Sequence, residues 1–217
     1  MASMNRVVFL IDGFNLYHSI RDISKILHIP CLKWLDINAF CNSFLSNIGG
    51  SASLEKIYYF SALAHHLNDP EVLERHTDYI ECLKSTGIEP VMGDFKRKKV
   101  KCSHCKREFW KHEEKATDVG IGVKLIEVLF NRDCETAVVI SGDTDIIPAI
   151  KTAHRLFPNN EILVAFPFNR KNDEFAPIAP RSFKIHIDSY KNSQLPPRVM
   201  LRTGTTIKTI NKPSAWV

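Results

Sequence analysis

The sequence predicts an α/β fold, a mainly parallel sheet flanked by helices, and three observations predict it. Short β-rich runs alternate with longer helical patterns along the chain, the order that builds parallel sheets through helical crossovers. Three of those runs, Arg6 to Asp12, Thr136 to Asp143 and Glu161 to Pro167, are apolar almost throughout, as strands covered on both faces must be. Finally, 217 residues with 44% hydrophobic and 24% charged side chains make one sizeable core, and one domain is favoured over two.

The elements follow in order. "RVVFLID" is the first strand, and "GFNLYHSIRDISKIL" and "WLDINAFCNSFLSNI" are helical segments behind it. "KIYYFSAL" (Lys56 to Leu63) is the second strand. Asp69 and Pro70 then supply an N-cap and a first-turn proline for "EVLERHTDYIECLKSTG", with Gly87 as the stop. "IEPVMGDF" (Ile88 to Phe95) is the third strand. In "EKATDVGIGVKLIEVLFN", Val119, Val123, Ile126 and Phe130 share one helical stripe that should pack on the sheet. The fourth strand, Thr136 to Asp143, leads into "DIIPAIKTAHRLF", where Pro148 is tolerated near the start. Glu161 to Pro167 is the fifth strand, and "FKIHID" (Phe183 to Asp188) a candidate sixth. The expected organisation is one domain over 4–190, with a basic CxxC-bearing loop at 96–112, and a basic, extended tail over 191–217.

No run approaches the roughly 18 to 20 apolar residues of a membrane span, and no signal-peptide pattern opens the chain. Of six cysteines only Cys102 and Cys105 are closely spaced, which is not a disulfide framework. A reducing cytoplasm is the expected location. The net charge of +5 is unevenly spread: residues 96–111 carry +7, residues 189–217 carry +5, and the remainder carries −7. An acidic body with basic attachments suits a protein that holds cations beside a polyanion. Two loops kept soluble by lysine would give the same numbers.

In open parallel sheets ligands bind beyond the carboxyl ends of the strands. Asp12 stands at one such end, and Asp143 and Asp145 at another, in "SGDTD". Asp118 lies near the start of a helix with Lys115 one turn before it, so the two would share a face. A single strand-end aspartate is ordinarily a helix cap, and Asp145 could cap the helix that follows it. Several carboxylates in one cleft repel unless a cation sits among them, and oxygen donors in that number suit Mg²⁺ or Mn²⁺. A dehalogenase-type phosphatase also has a strand-end Asp, but its chemistry needs an acid two positions further on. Phe14 stands there.

"DGFN" (Asp12 to Asn15), "EKATDV" (Glu114 to Val119) and "SGDTD" (Ser141 to Asp145), in that order and spacing, resemble the NYN domain family. More narrowly they resemble its LabA/DUF88-like branch within the PIN-like nucleases, as do the CxxC and the closing "KPSAW". The resemblance implies a PIN-like (Rossmann-like) sheet and a metal-dependent ribonuclease. It also implies that Asp12, Asp118, Asp143 and Asp145 form the Mg²⁺/Mn²⁺ cluster, with Asn15 holding the first loop or a ligand. Lys115 is a candidate to stabilise charge on the phosphate. Gly120 and Gly122, inside the helix behind Asp118, mean either close packing or a distorted helix; distortion would leave an RNA- or nucleotide-binding regulator with weak catalysis.

"CSHC" is half of a zinc site, with His112 as a plausible third ligand to Cys102 and Cys105. The fourth would come from His104, from a distant side chain such as Cys134, His65 or His66, or from a second subunit in a homo-oligomer. Free thiols on an exposed lysine-rich hairpin are the plainer alternative. The same segment sets Phe109 and Trp110 among cations, a pattern suited to single-stranded RNA, where aromatics stack bases and Lys or Arg follow phosphates. Lys96, Arg97, Lys98, Lys99, Lys101, Arg107 and Trp110 are the candidate RNA contacts.

Overall fold

The computed structural model describes residues 4–29, 32–65, 69–204 and 206–216, the side chains at 111, 113–115 and 203 excepted. Cys31 and His66, and the side chain of Lys115, therefore lie outside the described residues. The elements are β1 (Asn5–Asp12), α1 (Gly13–Leu27), α2 (Ile37–Asn42), β2 (Ala52–Ala62), α3 (Pro70–Ser85), β3 (Glu89–Lys101), β4 (Glu108–Lys115) and α4 (Thr117–Phe130). They continue with β5 (Thr136–Ile140), α5 (Ile147–Leu156), β6 (Glu161–Phe166), β7 (Phe183–Lys184), α6 (Ile187–Asn192), β8 (Arg198–Thr203) and β9 (Thr206–Asn211).

Seven strands form one sheet in the order β4-β3-β2-β1-β5-β6-β7. Every pairing in it is parallel except β3 with β4. The chain winds outward from β1 in both directions, so the strand order reverses there. Alternate β1 side chains enter opposite layers, as the period of a strand requires. Val7, Phe9 and Ile11 meet Leu16 and Ile20 of α1 and Leu83 of α3. Val8 and Leu10 meet Ile121 and Leu125 of α4 and Ile150 of α5. Each such side chain, once buried, stabilises the fold by roughly 1.5–3 kcal/mol. The expected mainly parallel α/β sheet is the one observed.

The start of α3 is also as expected: the Asp69 carboxylate accepts the Val72 N–H at 3.1 Å, and Pro70 opens the first turn. The face of α4 differs. Ile121, Leu125, Val128 and Leu129 are buried, whereas Val119, Val123 and Phe130 are exposed and Ile126 is only partly covered. The cause is Gly122, where an added Cβ would lie 2.9 Å from the Ala149 methyl of α5. Its missing side chain lets the two helices close together and turns the 121/125/129 stripe inward. Gly122 thus reflects packing, and Gly120, where a Cβ would lie 3.4 Å from the Phe60 ring, faces β2, in a regular 14-residue helix.

The basic segment is mostly strand, the long β3–β4 hairpin, rather than loop. Strand also runs through Lys115, and Ala116 is left-handed at φ 75° before α4 begins. The helical one-turn spacing expected between Lys115 and Asp118 is therefore absent. The candidate sixth strand is only two residues long, and α6 follows it. The tail is extended as the antiparallel β8–β9 hairpin. Leu201 and Ile210 join the α1/α3 layer, and Lys208 Nζ donates to Asp78 Oδ1 at 2.9 Å and Glu81 Oε2 at 2.6 Å. No described helix is long and apolar enough to cross a membrane.

Candidate active site

The acids gather where the strand order reverses. Asp12 ends β1 with 5% of its surface exposed. One carboxylate oxygen caps α1 by accepting the Asn15 N–H at 2.9 Å, and the other accepts the Ser141 hydroxyl at 2.9 Å. Ser141 Oγ in turn accepts the Asp143 N–H at 3.1 Å, and Asn15 Oδ1 accepts the Gly142 N–H at 3.2 Å. Two of these bonds, Ser141 to Asp12 and Gly142 to Asn15, lace the carboxyl ends of β1 and β5 together, and the other two shape the turn on each side. Capping and clustering turn out not to be alternatives for Asp12, which does both.

Asp118 enters from the first turn of α4, where the helix dipole favours a carboxylate. Asp12, Asn15, Asp118 and Asp143 line one cavity of about 230 Å³. Asp145 does not line it and is exposed. Nor does it cap α5, whose start carries no side-chain cap bond; instead the Asp145 N–H is taken by Asp143 Oδ1 at 3.1 Å. Sequence reasoning missed four residues that line the cavity, Phe14, Thr117, His18 and Arg170. Arg170 is tied to Asp22 at 2.7 Å. Its position just past the carboxyl end of β6, at the same sheet edge, was the available signal. Burial, then the charges of Arg21 and Arg170, hold the His18 imidazole below its ordinary pKa against the pull of Asp22.

Among the described residues no three His, Cys, Asp or Glu side chains converge tightly enough to grip one ion by themselves. The donor set nevertheless fits a hydrated ion. Mg²⁺ keeps several waters and is commonly held by one or two carboxylates, and every acid lining this cavity offers hard oxygen. An ion of that kind would offset the mutual repulsion of the three carboxylates.

The CxxC sits at the tip of the β3–β4 hairpin. Cys102 N–H donates to Arg107 O at 2.8 Å, and Lys106, at φ 58°, returns its N–H to Cys102 O at 3.0 Å. The backbone N–H groups of Cys105 and His104 hold the Cys102 thiol below its ordinary pKa. His112 does not join them: it pairs with Arg97, four rungs from the Lys101–Glu108 pair nearest the tip. At about 3.4 Å per residue that is about 14 Å away. Cys134 is buried behind α4, so the described residues bring no third protein ligand from either place.

Strand alternation splits the candidate RNA contacts between two faces. Arg97, Lys99 and Lys101 share a face with Trp110, and the Arg97 guanidinium lies 3.9 Å over its ring. Lys96 and Lys98 take the face of Phe109. Lys99 is paired with Glu108 at 2.5 Å. Arg107 is exposed in the turn.

A doubly wound α/β sheet with an acid-lined cleft at its switch point defines the class as PIN-like. Residues 6–184 match the NYN domain, and the chain belongs to that family of PIN-like nucleases. A crystal structure of a protein of unknown function from Vibrio parahaemolyticus has the same fold. It superposes with a TM-score of 0.54 at 18% identity, over 87% of this chain and 97% of that one. No curated protein matches the chain.

Proposed function

We propose that the chain is a Mg²⁺- or Mn²⁺-dependent ribonuclease of the LabA/DUF88-like branch that cuts single-stranded RNA endonucleolytically. The observation that carries this reading is the convergence of Asp12, Asp118 and Asp143, from three different elements, on one cavity at the sheet's switch point. Those three carboxylates would hold the metal. The metal, when bound, lowers the pKa of a bound water and offsets charge on the scissile phosphate.

The chain's own residues do the rest. Ser141 and the Asn15 N–H fix the Asp12 carboxylate, so its oxygens are positioned before substrate arrives. Asn15 pins the β5 end through Gly142. Arg170, held by Asp22, presents a cation at the cavity wall, in one lining with the polar groups of Asn15, His18 and Thr117 and the three carboxylates. The β3–β4 hairpin supplies cations and the Trp110 face along the approach of the strand. Zinc at Cys102 and Cys105, with its remaining ligands drawn from His104 or a second copy, is a structural proposal separate from catalysis.

The test is cleavage of an end-labelled single-stranded RNA with Mn²⁺, alongside Asp143→Asn. Internal cuts by the wild type, reduced at least 100-fold in the variant, support the proposal. Equal cleavage by both proteins marks a contaminant. A second reading, an RNA-binding regulator with weak chemistry, is favoured by the absence of a tightly closed acid cluster among the described residues. It predicts tight RNA binding with no turnover in either metal.

A further inference from the structure

A second cavity, of about 570 Å³, opens beside the acidic one and shares Phe14 and His18 with it. It lies between the carboxyl ends of β1 and β2, helices α1 and α3, and the C-terminal turn. Its size falls within the range of roughly 300–1,000 Å³ typical of small-ligand sites.

The lining is aromatic, with a few polar groups. Phe14 and Phe95 meet edge to face at 5.6 Å, and Tyr17, Tyr59, Tyr79 and Trp216 complete the aromatic walls. Ser61 Oγ and His76 Nε2 lie 3.3 Å apart between β2 and α3. Two part-exposed cations also line the space: Lys33, whose ammonium lies 5.1 Å over the Tyr17 ring, and Arg75, which also pairs with Glu71 at 3.3 Å.

We infer that this cavity is a nucleobase pocket, which receives the base of an RNA nucleotide neighbouring the phosphate held in the acidic cleft. The inference rests on the ribonuclease reading, whose substrate it specifies. Three features select a base over a purely apolar guest. Flat aromatic walls stack any base. The Ser61–His76 pair sets hydrogen-bonding atoms among the aromatic side chains of the lining, where they can meet the edge of a base. The shared Phe14/His18 wall makes the pocket continuous with the acidic cleft, and Lys33 and Arg75 complement a phosphate.

The experiment is isothermal titration of the full chain, in EDTA, with the 5′-monophosphates of adenosine, guanosine, cytidine and uridine. EDTA removes metal from the acidic cleft, so the signal does not depend on the proposed catalysis. Saturable one-site binding is expected, with at least one base preferred fivefold or more. Ala64→Trp, which fills the pocket from its rim, and Phe14→Ala, which removes a wall, should each weaken binding at least tenfold. Thermal melting identifies which variants remain folded. Failure of all four nucleotides to bind overturns the inference, as does binding unchanged in either folded variant. Binding of an apolar dye without any nucleotide also overturns it. RNA cleavage without nucleotide binding removes the pocket alone, whereas nucleotide binding without cleavage removes the nuclease and leaves the pocket.

Discussion

At the scale of single residues, the site depends on contacts that have no local sequence signal. Asp12 was recognisable as a strand-end acid. Its second partner, Ser141, comes from a strand 129 positions away, and only the sheet order brings them together. Gly142 is clearer still. A Cβ there would lie 2.0 Å from the Arg170 carbonyl oxygen, so the backbone after β6 closes over the turn after β5. Gly142→Ala should force a shift and cost about 1–3 kcal/mol. For a chain of this size each kcal/mol moves Tm by roughly 2–4 °C. A melting curve unchanged from wild type would show that the Arg170 loop yields freely. His76 gives a pH test. Burial holds its imidazole below the ordinary pKa, so between that folded value and about 6.5 the unfolded chain binds more protons. Its stabilising contribution is therefore complete above the window and lost as pH falls through it. His76→Gln should flatten the fall in Tm between pH 7 and pH 5; an identical profile would assign the fall to other groups, His18 first.

At the scale of elements, long strands and caps were legible because periodicity and Asp-Pro chemistry are local. The face of α4 was not, because the helix is apolar on most sides and two stripes compete. Gly122 decides between them, and its partner Ala149 belongs to another helix. Leu125→Ala should cost about 2–5 kcal/mol as a core truncation. Val123→Gln, on the exposed stripe, should stay within about 0.5 kcal/mol; denaturant unfolding of both variants measures the contrast, and equal losses would mean that the 119/123/126/130 stripe is buried as well. The β3–β4 hairpin was hidden for another reason, since lysines on both faces erase the apolar alternation that marks a strand. If its cations follow RNA phosphates, Lys96→Ser and Lys101→Ser should each lower the salt slope of single-stranded RNA binding by roughly 0.7. Loss of affinity at one salt concentration with an unchanged slope would point instead to damage at the Trp110 face.

At the scale of the whole molecule, a body of charge −7 carries a hairpin segment of +7, and three carboxylates share one cavity at the switch point. Three carboxylates in one cavity are tolerated best when a divalent ion joins them, so the proposed metal binding would add to folding stability. An ion at 100 times its Kd, bound only to the folded chain, adds about 2.7 kcal/mol. That corresponds to a Tm rise of roughly 5–11 °C for a chain of this length. Mg²⁺ is the ion to use, because it avoids the sulfur ligands Cys102 and Cys105 that Zn²⁺ would seek. Asp118→Asn and Asp143→Asn should each abolish most of the rise, since both line the cavity. Asp145→Asn should keep it, since that side chain is exposed and stands outside the cavity. An equal rise in all three variants would place the ion elsewhere on the acidic body. Loss in Asp145→Asn alone would mean that the turn after β5 rearranges to bring its second aspartate in when metal binds.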